Sequence, residues 1–470
     1  MNRSIKRIAV IFTLFFVALA LNLTYLQVID ADRITAQQGN TRNIERELAT
    51  RRGSILSADG VVLAESVKKG RFYERRYPAG ALTSHITGFF SVKYGKTGLE
   101  AAYDKFLMAE DQYATPRDLL NDVLGKHPPG DDIVLTLDTR LQKVAAEALG
   151  SRRGAIVALD PKTGAVLAMA SNPRYDPAAV STRFEQLRTS KASPLLNRAA
   201  QGLYPPGSVF KILTAATALE TGVTREEKVY DGPAVLYVQG GRVTNYGDQG
   251  FGTMRFSRAF AVSCNTIFAQ VGLELGDDRL VEGAEAFGLN KWVPFSSLPT
   301  YRSRIQEPVD RLDLAWTAVG QGRTLVTPLQ MALVGAGIAN GGVINEPYVV
   351  KQVRDYRGAM VRQTTPLQWQ RPLDPGTARQ VRDLMVEVVE DGTGGRARIE
   401  GVRVAGKTGT AEPADKLRTH AWFVGFAPAE DPKIVVSVLV EHGGTGGRAA
   451  APLAKQVMEA AVGLGLGDVP

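Results

Sequence analysis

A chain of 470 residues is long enough for two or three domains, and its net charge of +8 would permit nucleic-acid binding. No run of Lys and Arg is long enough for a groove-binding patch, so a basic exterior facing an anionic surface is the tamer reading. A single cysteine, Cys264, excludes an internal disulfide. Four histidines without a helical i, i+4 pair, and no Gly-x-Ser-x-Gly, argue against a zinc hydrolase and a nucleophile-elbow hydrolase.

From Ile8 to Ile29 no residue is charged, which is long enough to span a bilayer. Arg3, Lys6 and Arg7 precede the stretch and Asp30 follows it, so residues 1–7 are expected in the cytoplasm and the rest outside. Ala18-Leu19-Ala20 resembles a signal-peptide cleavage site, the competing reading. Apolar residues continue past it through Leu26, Val28 and Ile29, which favours a retained anchor over 8–29.

Residues 30–152 read as a polar, arginine-rich spacer or pedestal with its connector. Short strands are expected around the turn Ala58-Asp59-Gly60, at 50–56 and 60–64. The cluster His127-Pro128-Pro129-Gly130-Asp131-Asp132 marks a boundary, followed by a strand at 133–137 and a helix at 140–149. Residues 153–466 form the main domain. Strands at 155–159 and 166–170 pair across a 160–164 turn. Much of 195–390 reads as helix with loops, strands return at 402–410, 421–426 and 434–440, and a helix closes the chain at about 450–462. Strands at both ends of a helical insert fit one antiparallel sheet packed by helices, an α+β arrangement.

The chemistry concentrates in three places. Tyr204-Pro205-Pro206-Gly207 punctuates a loop before Ser208-Val209-Phe210-Lys211 and a long apolar run, so Ser208 is expected at a helix start with Lys211 one turn on. Lys211 is the only charge in a helix that should be buried, which pushes its pKa down and suits it as a base for a serine nucleophile. A second Ser-x-x-Lys, Ser66-Val67-Lys68-Lys69, reads as a solvated turn with no apolar helix behind it. Ser263-Cys264-Asn265 places a hydroxyl and an amide two residues apart, where both can face one cavity; helix capping is the competing reading. Cys264 itself reads as a small packing residue. Lys407-Thr408-Gly409-Thr410 follows a strand-like alternation, unlike the Lys-Thr-Gly copies at Lys96 and Lys162, and its Gly409 suggests a close approach by a substrate backbone.

In this order the three motifs resemble those of class B penicillin-binding proteins. The segments Gly88-Phe89-Phe90-Ser91 and Thr327-Pro328-Leu329-Gln330, and the chain's shortness, are most similar to the actinobacterial penicillin-binding protein A group. The resemblance implies a five-stranded antiparallel sheet packed by helices, carried on a membrane helix and a smaller elongated pedestal of the dimerisation-domain kind. It implies a serine D,D-transpeptidase of peptidoglycan stem peptides, acylated by β-lactams, with no cofactor, no metal and no nucleic-acid partner. In that scheme Ser208 attacks, Lys211 takes its proton, Ser263 relays a proton and Asn265 holds the substrate's peptide amide or side chain. Lys407, Thr408, Gly409 and Thr410 meet the terminal carboxylate, and the backbone N–H groups of Ser208 and Thr410 form the oxyanion hole. It further implies a bacterial plasma-membrane location, a catalytic domain on the outer face, and a membrane-embedded glycan polymerase of the SEDS type as partner. A D,D-carboxypeptidase, a membrane-anchored β-lactamase and a non-enzymatic β-lactam sensor or scaffold remain as alternatives. The β-lactamase is disfavoured because Glu-x-x-x-Asn is absent and Cys264 stands where those enzymes have aspartate.

Overall fold

The computed structural model describes residues 2–25, 41–109, 128–412 and 418–467. The end of the expected span at 26–29, the stretch 30–40 and His127 at the expected boundary lie outside the described residues. The first helix, Asn2–Thr24, contains 20 residues of mean hydropathy 2.1 from Ile5 to Thr24, none buried in the protein. At 1.5 Å per residue that length crosses a hydrocarbon core of about 30 Å.

The main sheet has five strands, all antiparallel, in the order Ala405–Ala411, His420–Ala427, Ile434–Val440, Gly154–Leu159, Val166–Asn172. Ile434–Val440 is buried along its whole length because both of its faces are covered. Val436 and Val438 pack with Leu141 and Val457 of the helices Thr139–Leu149 and Ala451–Gly463. Val435 and Leu439 point the other way, into the core that holds Leu329 and Leu333 of Pro328–Ala339. Each fully buried aliphatic of this kind contributes about 1.5–3 kcal/mol. The expected hairpin across 160–164 forms, with Leu159 opposite Val166, and Asp160 closes its turn on Thr163.

On the helical side the Lys211–Glu220 helix is buried at every position but its last. It is enclosed by Asn265–Leu275, Asp277–Ala286, Arg311–Val319 and Pro375–Asp391. Part of the region read as helix and loop is instead strand. Val235–Val238 and Gly241–Thr244 form a ribbon whose two-residue turn has Gln239 and Gly240 both at positive φ, the hairpin geometry that matches strand twist.

A second sheet is mixed. Its order is Met360–Gln363, Val350–Arg354, Asp132–Leu135, Ile55–Leu56, Val62–Lys69, Phe72–Arg76, and only the pair Ile55–Leu56 with Asp132–Leu135 is parallel. Two of its strands therefore come from far along the chain. The expected solvated turn at Ser66 is corrected here: Ser66 and Lys69 both lie in Val62–Lys69, and the turn comes after them. Three residues apart on a strand they point to opposite faces, so this Ser-x-x-Lys forms no pair.

Candidate active site

Ser208 lies in a 3-10 turn, Gly207–Phe210, that runs straight into the Lys211–Glu220 helix. It is half-buried, while Val209 and Phe210 beside it are buried in the core. Gly207 has φ +55, and a side chain there would bring its Cβ within 2.5 Å of the Thr410 carbonyl oxygen. The serine turn is thus pressed directly against Ala405–Ala411, the edge strand of the main sheet. Gly409 completes the fit: a Cβ there would meet Val209 at 2.9 Å and the Pro206 carbonyl at 3.1 Å. The close approach that explains Gly409 is therefore made by the protein's own 206–209 segment, where a substrate backbone had been expected.

Lys211 is fully buried, and its Nζ donates to the Ser263 carbonyl at 2.8 Å, to Asn265 Oδ1 at 2.7 Å and to Ser263 Oγ at 3.2 Å. Among the described residues no hydrogen bond joins it to Ser208 Oγ and no carboxylate pairs with it. Burial without a counter-ion pushes its pKa down to about 7. Lys407, also fully buried, donates to the same Ser263 Oγ at 2.9 Å and to the Thr408 carbonyl at 3.1 Å. Burial first, and then the Lys211 charge, hold it well below the ordinary lysine value. The rings of Phe268 and Phe260 lie 5.2 and 5.6 Å from the two ammonium nitrogens.

Ser263 has φ +61 in the turn between the helices Phe256–Ala261 and Asn265–Leu275, an uncommon conformation for a residue with a side chain. Asn265 is the first residue of its helix, with Oδ1 on Lys211 and Nδ2 donating to the Thr244 carbonyl at 2.8 Å. Oδ1 and one Nδ2 hydrogen are engaged inside the protein, which leaves the second Nδ2 hydrogen to donate to a substrate carbonyl. Cys264 is buried, with Sγ 3.5 Å from Asn245 Oδ1, in the packing position expected for it. Thr408 Oγ1 shares a hydrogen bond of 2.6 Å with Thr393 Oγ1, and Thr410 Oγ1 accepts weakly from Gly446 N at 3.4 Å.

The structure thus brings Lys211, Ser263, Asn265 and Lys407 into one hydrogen-bonded cluster. It sets Ser208 beside Thr410 at the rim. Asn245 is a supporting residue that the motifs do not contain. Its Oδ1 accepts from Asn265 N at 2.7 Å and Thr266 N at 3.2 Å, capping that helix from a distant loop, and its Nδ2 donates to the Pro233 and Gln249 carbonyls. Thr244-Asn245-Tyr246-Gly247 carries only a turn signal, which does not say what the asparagine caps. No group of three or more metal-ligating side chains exists among the described residues.

A serine at the start of a buried helix, a depressed lysine one turn on and a second buried lysine on the facing edge strand make an arrangement suited to serine acyl transfer on an α+β frame. The penicillin-binding protein transpeptidase domain model matches residues 154–459, and the penicillin-binding protein A dimerisation domain model matches 52–133. The chain belongs to the class B penicillin-binding protein transpeptidases. It is 40% identical to the peptidoglycan D,D-transpeptidase PbpA of Mycolicibacterium smegmatis, over 98% of this chain and 99% of the relative. It is 37% identical to the PbpA of Mycobacterium tuberculosis, with the same coverage. Among solved structures, the penicillin-binding protein A of M. tuberculosis as a ceftriaxone acyl-enzyme superimposes with TM-score 0.84 at 36% identity, covering 89% of this chain and 99% of that one. A D,D-transpeptidase domain from Eggerthella lenta gives TM-score 0.82 at 39% identity, with the same coverage.

Proposed function

We propose that this chain is a peptidoglycan D,D-transpeptidase in which Ser208 becomes acylated. The observation that carries the assignment to these residues is the convergence of Lys211, one helical turn from Ser208, and of Lys407 on Ser263 Oγ, with no carboxylate partner among the described residues. Near neutral pH the Lys211 amine is in reach of its neutral form and accepts the Ser208 proton as Oγ attacks the carbonyl of the penultimate D-alanine. The C–N bond to the terminal D-alanine then breaks, and its amine takes a proton through Ser263. The ester on Ser208 is next attacked by an amine of a second stem peptide, which forms the cross-link and frees the serine. Lys407 with Thr408 and Thr410 faces the terminal carboxylate, whose charge restores the ammonium form of the lysine. The N–H groups of Ser208 and Thr410 serve as the oxyanion hole, which the Gly207 contact with Thr410 supports.

The Ile5–Thr24 helix serves as a single-pass anchor in the bacterial plasma membrane. Arg3, Lys6 and Arg7 on its N-terminal side support an outer-face catalytic domain. The family likeness also supports a SEDS-type glycan polymerase as partner, tested by co-purification in detergent.

The detergent-solubilised chain is expected to label covalently with a fluorescent penicillin and to gain one adduct by intact mass. Ser208→Ala is expected to lose both signals. Retention of the label by that variant sinks the assignment. Incubation with a donor thioester, with and without an acceptor D-amino acid, separates transfer from the hydrolysis of a carboxypeptidase.

A further inference from the structure

The segment that delivers Ser208 is held by a buried charge cluster outside the three motifs. Tyr204 OH donates to Glu441 Oε1 at 2.8 Å, and Arg198 Nε donates to the same oxygen at 2.7 Å. Arg198 is 1% exposed and engages each of its three guanidinium nitrogens, the other two donating to the Ser193 and Ala192 carbonyls at 3.0 and 2.8 Å. The second oxygen, Glu441 Oε2, pairs with Arg153 at 3.0 Å on the more exposed side.

Tyr204 carries that anchorage into the nucleophile turn. Its backbone N–H and carbonyl exchange hydrogen bonds with Val326 at 3.0 and 2.8 Å. Trp422 Nε1 then holds the Pro205 carbonyl at 3.0 Å, and Gly207 N donates to the Gly320 carbonyl at 2.8 Å. Each of these contacts fixes backbone. Glu441 alone reaches the segment through a side-chain hydroxyl that nothing else among the described residues engages. Glu441 follows directly on strand Ile434–Val440, so the link ties the serine turn to the sheet whose edge strand carries Lys407.

We propose that Glu441 is a positioning residue for the acylation step: through Tyr204 OH it sets the distance between the Ser208 turn and the Ala405–Ala411 strand. The claim rests on Ser208 being the nucleophile. A shift of the turn by a few tenths of an ångström leaves a β-lactam able to bind but displaces Oγ from the line of attack, so the effect falls on the acylation step itself.

Acylation of the full-length protein in detergent by a chromogenic penicillin, resolved into a binding constant and a first-order acylation constant, tests this. Tyr204→Phe removes only the hydroxyl and is expected to lower the acylation constant about tenfold, with the binding constant and Tm close to wild type. Glu441→Gln keeps an oxygen that can accept from Tyr204 but leaves Arg198 without its counter-charge. It is expected to lower Tm while keeping acylation within about twofold to threefold of wild type. Arg153→Ala, which touches the same carboxylate from outside, is expected to change neither. The proposal is overturned if Tyr204→Phe acylates at the wild-type rate, or if acylation follows Tm across the three variants. Should the Ser208→Ala variant still acylate, the nucleophile assignment fails instead, and the two failures are told apart by that single control.

Discussion

Lys211 and Lys407 donate to one hydroxyl, with Nζ atoms 3.2 and 2.9 Å from Ser263 Oγ, and both are fully buried. Two ammonium ions sharing an apolar site without a carboxylate repel each other and lack hydration, so the pair favours holding at most one proton near neutrality. In the proposed mechanism a base for acylation is thereby available without a histidine. Lys211 is lowered to about 7, so the first-order acylation constant is expected to rise about tenfold per pH unit below that value and to level off above it. Stopped-flow acylation between pH 5 and 9 checks this, and a profile that is flat or falls with pH contradicts it.

The same burial has a stability consequence with a definite sign. Lysine in the unfolded chain keeps its proton until about pH 10.4, whereas folded Lys407 loses it well below that. Between those limits the unfolded state binds more protons, so stability rises with pH. Lys407→Met removes this contribution and the cost of burying the amine. The variant is expected to be inactive yet more stable than wild type at pH 7, by about 1–3 kcal/mol, with the gap closing toward pH 9.5. Urea unfolding at the two pH values measures it, and a variant less stable at pH 7 disproves the argument.

Gly207 is the point of closest contact between the Ser208 turn and the edge strand. Gly207→Ala forces a side chain into φ +55 and within 2.5 Å of the Thr410 carbonyl oxygen. The left-handed conformation alone costs about 1–2 kcal/mol, and relief of the clash must push the Ser208 turn away from the strand. Loss of penicillin labelling by about 100-fold is expected, together with a lowered Tm; a misplacement near 1 Å has about that effect. Labelling at the wild-type rate would show that the turn relaxes elsewhere.

Asn245 separates what a motif can report from what a fold supplies. Asn245→Ala strips the acceptor from Asn265 N and Thr266 N and the donor from two carbonyls. A cost of about 2–4 kcal/mol is expected. Freed Asn265 would also release Lys211, so the acid limb of the acylation profile should move. Asn245→Asp retains the helix cap, adds negative charge near the pair and is expected to move that limb upward. An unchanged pH profile in both variants would confine Asn245 to a purely structural role.

The placement of Ser208 at a helix start, of Lys211 in a buried helix and of Lys407 on a strand is legible because those signals are local. An apolar run surrounds the first lysine, a strand alternation precedes the second, and Pro-Pro-Gly marks the helix start. The five strands and their hairpin were legible for the same reason, since alternation and turn residues sit within a few positions of each other. What sequence could not carry are partners set by the folded path. Tyr204 meets Glu441 237 residues away, and Val353 pairs with Ile133 in a sheet that local propensity assigned to separate regions. Gly409 reads in sequence as making room for a ligand because the 206–209 segment that fills the space is brought there only by the fold. Ser66 reads as a turn residue in sequence because charged flanks on an exposed strand look like those of a loop.

The N-terminal domain depends on one buried carboxylate in the way the active site depends on Ser263. Glu100 is 0% exposed; its Oε2 accepts from Arg52 Nη2 at 2.9 Å and its Oε1 from Arg75 Nε at 2.6 Å. Arg52 reaches Asp104 as well, at 2.6 Å, and donates to the Glu100 carbonyl at 3.1 Å. The cluster ties the helix Gly98–Ala102 to strand Phe72–Arg76 and to the segment entering Ile55–Leu56. Glu100→Ala leaves Arg75 buried without its carboxylate and Arg52 with Asp104 alone, and is expected to cost about 3–5 kcal/mol. That loss should fall on residues 52–109 and spare the acylation machinery. In hydrogen exchange, the amides of Val62–Lys69 are expected to lose protection while those of Ile434–Val440 keep it, and penicillin labelling should continue at the wild-type rate. Equal loss of protection in both strands would show that the two sheets unfold as one unit.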